Sequence, residues 1–559
     1  MVLFRRLPRA IWLWIIPLLF LGVFFFLPLG TVFRLAFQSG VGSALASWQR
    51  VLRPLGFTFW QAALSTTLTL AVGLPAAYVF ARFEFPGKRL LRVLTTLPFI
   101  LPTVVVAASF NALLGPRGWA NLLLMDWFGL ESPPIQILNS LGAILLAHVF
   151  YNTTVVIRVV GSALVQLDPR LEQAARMLGA SPARALREVT LPLLKPALLS
   201  ATLLVFLFDF TSFGVVLLLG GPRYATLEVE IYIQALQMLN LPLAGLLSAV
   251  QLACTLSITV LHSRLSGRRA IPLAPRLRGE GTRRPRSWRE RLLMGTLLTL
   301  LTGLLVLPLA ALGLRSVTRL EAARGERATV QSGLTLDYYR ELFINRRGSL
   351  FYVPPIAAAR NSLAYAGATV LISLSLGSLA AAALSRPSRV NHWLEPLLLL
   401  PLGASAVTLG LGFIVVFNKP PLDARSFPLL VPIAHSLVAL PFVVRTLQPA
   451  MASIPLSLKQ AAAVLGASPL RAWLEVDLPI IARAALVGAI FSFTISLGEF
   501  GATSFLARPE TPTLPVAIYR FLSQPGGLNY GQALAMATLL LLVCALGILA
   551  IERLGGETI

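Results

Sequence analysis

Charge is what this 559-residue chain has least of. Only 13% of its residues are Asp, Glu, Lys or Arg, where a soluble globular protein carries about 25%. With a hydrophobic fraction of 56% and a mean hydropathy of +0.77, the shortage excludes an ordinary water-soluble domain and places the chain in the membrane class. Acids are scarcer still, 23 against 47 bases, for a net charge of +24. That excess does not make a nucleic-acid face: the Arg residues fall largely in short loops between apolar runs, where membrane topology puts them. Cysteine is almost missing. Cys254 and Cys544 both lie inside apolar runs, which argues against a disulfide framework or a zinc site. No cluster of His, Cys or carboxylates has metal-ligand spacing, so no fixed metal site is expected. The GxxxxGK[ST] phosphate loop is absent too: Gly87-Lys88 is followed by Arg89 and lacks the earlier glycine. The chain cannot bind and split ATP by that route, and it is not expected to be an enzyme.

What is present is apolar length. A helix needs about 20 apolar residues to cross a ~30 Å hydrocarbon core. Twelve runs qualify, at 11–33, 57–81, 90–114, 139–160, 197–221 and 242–262, then 292–314, 361–384, 393–417, 428–447, 484–506 and 533–551. The first follows Arg5, Arg6 and Arg9 and is too long for a signal peptide. Residues 263–291 hold ten Arg with several Pro and Gly and read as a linker. Three parts follow: a membrane repeat at 1–262, the Arg-rich linker at 263–291, and a second repeat at 292–559. Positive residues collect on the cytoplasmic side. That rule puts both termini, the linker, Arg82, Lys88, Arg89, Arg92, Arg386, Arg389 and Arg553 inside. The loop 315–355, expected outside, resists with seven Arg against four acids.

The halves repeat. His148 and Arg158 match His435 and Arg445 at an offset of 287, as do Phe213-Gly214 with Phe500-Gly501 and Ile231-Tyr232 with Ile518-Tyr519. Gly73 and Arg82 match Gly377 and Arg386 at 304, so a loop near 115–138 is shorter in the second half. Six spans in each half give both the same orientation. The expected fold is an all-α integral membrane protein of about twelve helices, two parallel six-helix repeats about a pseudo-twofold axis with a path between them.

Two polar islands interrupt the apolar chain, and they are copies. Residues 171–192 read LEQAARMLGASPARALREVTLP and residues 458–479 read LKQAAAVLGASPLRAWLEVDLP. Each reads as helix, turn, helix. Asp168-Pro169 starts the first, Gly179 and Gly466 suit a left-handed C-terminal cap, and Ser181-Pro182 and Ser468-Pro469 start the second short helix. A plain amphipathic loop at the lipid surface is the competing reading, but such loops do not repeat residue for residue.

The islands resemble the EAA loop of permease subunits of binding-protein-dependent ABC importers: E-A-A, three residues, G, nine residues, I, one residue, L-P. Here the pattern is Gln173-Ala174-Ala175, Gly179, Val189, Leu191-Pro192, and again Gln460-Ala461-Ala462, Gly466, Val476, Leu478-Pro479. Gln replaces the leading Glu and Val the Ile in both copies. The resemblance implies that these loops are coupling helices docking on two copies of a cytoplasmic ABC ATPase. ATP and magnesium would sit on that partner, with no cofactor bound by this chain, and a solute-binding protein would deliver substrate outside. It also implies a multi-pass protein of a prokaryotic cytoplasmic membrane. The double length is similar to the fused permeases of thiamine and ferric-iron importers, which gives the expected substrate. An ion-gradient-driven secondary transporter is the alternative, since twelve spans in two halves fit it equally well.

Ionisable groups inside a bilayer are costly and commonly functional. Asp209 falls near the middle of the fifth run and Glu499 within the eleventh. They are candidates for lining a path for a cation, or for bracing helix contacts. The repeated pair His148 and His435 could face the path from opposite sides; bonding a neighbouring carbonyl to fix helix packing is the favoured reading. Gln251 and Asn152-Thr153-Thr154 are weaker candidates. Arg158 and Arg445, at span ends, are expected to snorkel.

Overall fold

The structure, a computed structural model, describes residues 10–38, 48–221, 223–267, 282–285, 287–319, 333–344, 354–386, 388, 390–418, 420, 422–423 and 427–554. Among these the chain is helical, with two isolated β-bridges and no strand. Most of the linker and much of the loop 315–355 lie outside the described residues.

Ten helices are long and apolar enough to cross a bilayer. They are Trp12–Ala36, Trp48–Arg82, Leu141–Gln166, Ala183–Phe210 and Leu241–Leu265, then Trp288–Arg315, Pro355–Leu384, Leu430–Ala452, Pro469–Gly498 and Gly527–Ala550. The runs 90–114 and 393–417 read as continuous spans, and the structure corrects both. Lys88–Ile100 meets Thr103–Phe128 at a bend of 113°, and Asn391–Gly403 meets Ala406–Val416 at 96°. Pro102 forces the first break, because a residue before proline is pushed out of the helical region, and Leu101 is extended at φ −69° and ψ 137°. At the second break Ser405 is extended, and its hydroxyl accepts from the N–H groups of Val407 and Thr408. That starts a new helix instead of continuing the old one. The count reaches twelve only when each bent pair is one span.

The runs 197–221 and 484–506 are broken as well. Their helices stop at Phe210 and Gly498 and restart as Gly214–Leu219 and Gly501–Leu506. Asp209 therefore stands in the last turn of its helix rather than mid-span, and Glu499 stands in the break itself.

Each half is built on one three-helix contact. Trp48–Arg82, Leu141–Gln166 and Leu191–Phe210 pack together in the first half; Pro355–Leu384, Leu430–Ala452 and Leu478–Gly498 do so in the second. Without lipid-independent hydrophobic drive, membrane helices approach through small residues. Gly73 lies so close to Val156 that a Cβ there would sit 2.7 Å from the valine Cβ, and Gly377 stands likewise 2.6 Å from Val443 Cγ1. Both members of this contact repeat, at offsets 304 and 287, which places the missing loop between them.

The first helix of each half reaches across to the other. Ala10–Leu21 packs on Pro355–Leu384, and Leu27–Ala36 lies between Leu241–Gly267 of its own half and Ala406–Val416 of the other. Trp14, Leu21 and Phe25 are buried in a second-half cluster with Leu376, Phe413 and Leu437, and Trp14 Nε1 donates to Asn391 Oδ1 at 3.1 Å. Reciprocally, Trp288–Arg315 packs on Thr103–Leu114 of the first half.

Candidate functional site

The islands have the same geometry twice. Pro169–Met177 is capped by the Asp168 side chain, which accepts from Arg170 N at 2.9 Å. It ends with Ala180 N donating to Ala175 O and Gly179 N to Arg176 O, both at 3.1 Å. In the second copy Ala467 N donates to Ala462 O and Gly466 N to Ala463 O, both at 3.0 Å. Gly179 and Gly466 take φ of +88° and +81°, the left-handed region where a side chain is strained. Nothing lies within 4 Å of a Cβ placed at either glycine, so the requirement is conformational and not steric. Ser181 and Ser468 each accept from the N–H three residues on, at 3.3 Å. Arg184–Glu188 and Arg471–Glu475 pair on the second short helix at 3.1 and 2.8 Å. Each island then enters its span through a π-helical turn, Leu186–Thr190 and Trp473–Asp477.

The motif residues distribute alike in both copies. Gln173, Ala174, Gln460 and Ala461 are exposed, as are Leu191, Pro192, Leu478 and Pro479, while Ala175, Ala462, Val189 and Val476 are half-buried. The most exposed apolar side chains at the island tips were not singled out by the motif: Met177 at 88%, Leu178 at 90%, Val464 at 87% and Leu465 at 86%. Large apolar groups held into solvent at a repeated position mark a contact surface. Their signal in the sequence is their place, just before the capping glycine.

The islands differ beneath their tips. Lys459 Nζ lies 3.0 Å from Asp477 Oδ2; the equivalent positions of the first island are Glu172 and Thr190. There the linker end takes over. Arg283 N donates to Arg82 O and Glu84 N to Arg283 O, each at 3.0 Å. The Arg283 guanidinium lies 4.7 Å from the Phe83 ring centre and pairs with Glu290 at 2.6 Å. Lys88, 2.8 Å from Glu84, holds that carboxyl below its usual range. A strap from the linker is thus laid across the turn between two helices, beside the first island.

The polar residues of the spans assemble around the broken helices. In the first half, His148 Nε2 pairs with Ser212 Oγ at 2.8 Å, its Nδ1 lies 3.3 Å from Asp209 Oδ1, and Asn152 Nδ2 donates to that oxygen at 2.7 Å. Asp209 Oδ2, His148 Nδ1 and the Oγ of neighbouring Ser65 have no hydrogen-bond partner among the described residues. In the second half, His435 Nδ1 pairs with Ser496 Oγ and Nε2 with Thr503 Oγ1, both at 2.7 Å, and Nε2 lies 3.2 Å from Glu499 Oε2. Glu499 also accepts from the N–H groups of Ala502 and Thr503 at 2.8 and 2.9 Å. All four candidates are buried inside their own half, and the histidines bond hydroxyls rather than a backbone carbonyl. Thr154 bonds Thr95 O, and Arg158 donates to Thr96 at 2.9 Å, a helix contact beyond simple snorkelling.

The two halves meet along an aromatic seam. Phe213 and Phe500, repeat mates, stack on each other with centres 5.6 Å apart and planes at 22°. Phe213 also meets Tyr232 at 5.4 Å, Phe500 meets Tyr519 at 5.5 Å, and Tyr232 meets Phe505 at 5.8 Å. The short helices that carry the tyrosines, Leu227–Tyr232 and Leu514–Leu522, pack on Ala406–Val416 and Thr103–Leu114 of the opposite half. Each has its first N–H held by a hydroxyl of the second-span helix, Leu227 by Thr58 at 2.9 Å and Leu514 by Ser362 at 2.7 Å. Glu228, on the first of these helices, is 2% exposed. Gln251 Nε2 donates to it at 3.0 Å, and Ser405 of the second half lies against the carboxylate. Sequence reasoning passed over Glu228 because it stands outside the long apolar runs. Of the path candidates, Gln251 is tied to this seam through Glu228. Among the described residues no group of three His, Cys, Asp or Glu could hold a metal ion.

The family described as "Binding-protein-dependent transport system inner membrane component" matches residues 69–269 and 373–555, once in each half. The chain is similar to the thiamine transport system permease protein ThiP of Brucella abortus, 29% identical over 525 residues, covering 92% of this chain and 90% of that one. It is similar also to ThiP of Escherichia coli, 29% identical over 509 residues, 90% of this chain and 89% of that one. The crystal structure of a bacterial ABC transporter involved in import of the acidic polysaccharide alginate covers 46% of this chain and 94% of its own, at 18% identity and a TM-score of 0.40.

Proposed function

The chain belongs to the family of binding-protein-dependent transport system inner membrane components, and from that premise we propose how it works and on what. As a member it is the permease subunit of an ABC importer, a multi-pass inner-membrane protein that works with a binding protein and is a transport component rather than an enzyme. The proposal has three parts. The islands, with Gly179 and Gly466 at their turns, dock two ABC ATPase subunits. The islands and both termini face the cytoplasm, with repeats 1–262 and 292–559 joined by the linker 263–291. The substrate is thiamine.

The observation that carries the docking is the pair of apolar tips, Met177-Leu178 and Val464-Leu465, held in solvent by identical caps. Two equal tips call for two equal sockets. ATP would close the ATPase pair, carry the islands with it and rock the two halves against each other. Support for thiamine comes from relatives of that name spanning nine-tenths of the chain and from the aromatic seam, whose ring faces favour a planar organic cation over a hydrated metal ion. In this reading the His–acid clusters brace the broken helices and the path runs along the seam.

The test is uptake of labelled thiamine, with ferric iron as comparison, by the reconstituted chain with its binding protein, with and without its ATPase. Thiamine accumulation that requires ATP hydrolysis is expected. Accumulation on an ion gradient with no ATPase present would instead identify a secondary transporter, and iron uptake without thiamine uptake would replace the substrate.

A further inference from the structure

The seam carries more than closure. Phe213 and Phe500 are single residues at matched positions, each at the break of its own helix, and they stack across the halves. A stack between repeat mates lies directly between the halves and separates when they part along the seam. Once separated, it leaves two parallel ring faces with a planar gap between them. Tyr232 and Tyr519 flank the stack on either side. One helical turn before Tyr232 stands Glu228, whose repeat mate is Pro515, so the seam carries this carboxylate on one side only.

The polar groups near that carboxylate have capacity to spare. Gln251 gives its amide N–H to Glu228, yet Gln251 Oε1 is buried with no partner among the described residues, as is Thr408 Oγ1, one turn beyond Ser405. Burying an acid and an unpaired amide oxygen is costly in a membrane protein unless something else completes the site. A carboxylate, an amide oxygen and a hydroxyl would suit a ligand with a positive charge and N–H donors. Stacking faces would suit a flat ring.

We infer that the Phe213–Phe500 stack, with Glu228 one helical turn from the flanking Tyr232 and Gln251 bonded to Glu228, is a transient binding site that holds a planar aromatic cation between the rings as it crosses from one half-open state to the other. The inference rests on the thiamine reading for its occupant and goes beyond it by locating recognition in the permease as well as in the binding protein. The site is closed on itself here, ring on ring, and opens only when the halves part.

The experiment is thiamine uptake by the full chain with its ATPase and binding protein, comparing Phe213→Leu, Phe500→Leu, Phe213→Tyr, Phe500→Tyr and Glu228→Gln. Stimulation of ATPase activity by thiamine-loaded binding protein is measured alongside. Each Leu variant is expected to lose about tenfold in transport kcat/KM, and Glu228→Gln a similar factor, on the scale of a desolvated cation–π contact. The Tyr variants, which keep the ring, are expected to stay within about twofold. Leu variants that transport like the unmodified chain overturn the inference, and so do Tyr variants that lose as much as Leu, since packing alone would then explain the loss. Uptake by the unmodified chain is read first: if it carries no thiamine, the substrate reading has failed independently of the variants.

Discussion

His148 and His435 occupy the same place in the two halves, yet their acids stand one turn apart. Position 209 is Asp where its mate 496 is Ser, and position 212 is Ser where its mate 499 is Glu. Each histidine therefore keeps one acid and one serine hydroxyl, with the two exchanged, and His435 adds the hydroxyl of Thr503. The exchange changes what the acid holds. Glu499 stands in the break and accepts two N–H groups of the restarting helix, so it serves as an N-terminal cap as well as a partner for His435. Asp209 stands before its break, takes Asn152, and leaves Oδ2 without a partner among the described residues. A restart capped by a carboxylate is the stiffer of the two.

The largest test of that difference is Glu499→Gln against Asp209→Asn. Losing Glu499 deprives two buried N–H groups and His435 of their charged acceptor, a change of about 3 kcal/mol on the scale of broken buried pairs. Asp209→Asn changes a carboxyl whose second oxygen has no hydrogen-bond partner among the described residues and is expected to cost about 1 kcal/mol, the size of one ordinary hydrogen bond. Thermal unfolding in detergent measures both. Equal losses would erase the distinction between the halves.

A middle-sized effect separates the islands from the spans. Gly179→Val and Gly466→Val each place a β-branched residue at positive φ, at about 1–2 kcal/mol of local strain. Both are expected to weaken ATPase stimulation while membrane insertion is unchanged, and Asn at the same positions should be milder. Since no neighbour crowds either glycine, the two islands should respond equally; a loss confined to one would mean that its twin is not docked. Normal transport by both Val variants would sink the coupling role.

The smallest effect belongs to the strap. Arg283 and Glu290 are partly exposed, so Arg283→Ala should cost less than about 1 kcal/mol globally. Its expected signature is local: faster proteolysis of the linker, with the second island, held by Lys459–Asp477, unaffected. No change in cleavage would mean that the strap does not secure the linker.

The span count, the repeat and the islands were legible because each leaves a mark along the chain: apolar length, a constant offset, and a polar motif with a glycine at its turn. The breaks were not. Hydropathy is blind to a bend when both arms are apolar, as on either side of Leu101-Pro102 and of Ser405. Pro102 was visible, but proline also occurs inside unbroken helices here, as Pro75 does in Trp48–Arg82. The exchange of acid and hydroxyl around the histidines could be read only once the breaks brought residues three apart onto the same partner. Glu228 escaped because the cost of burying it depends on the opposite half, which no local pattern records.

The crossing of first helices sets a timetable. Trp14 meets Asn391 across 377 positions, and the helix that covers Ala10–Leu21 is Pro355–Leu384. At a synthesis rate of roughly 10 residues per second, that cover reaches the membrane about half a minute after the first helix does. Until then the buried face of Trp14, Leu21 and Phe25 has only lipid, or an insertion factor, to lie against. The helix Ala10–Leu21 thus waits for its cover, and its buried face is closed only when Pro355–Leu384 arrives.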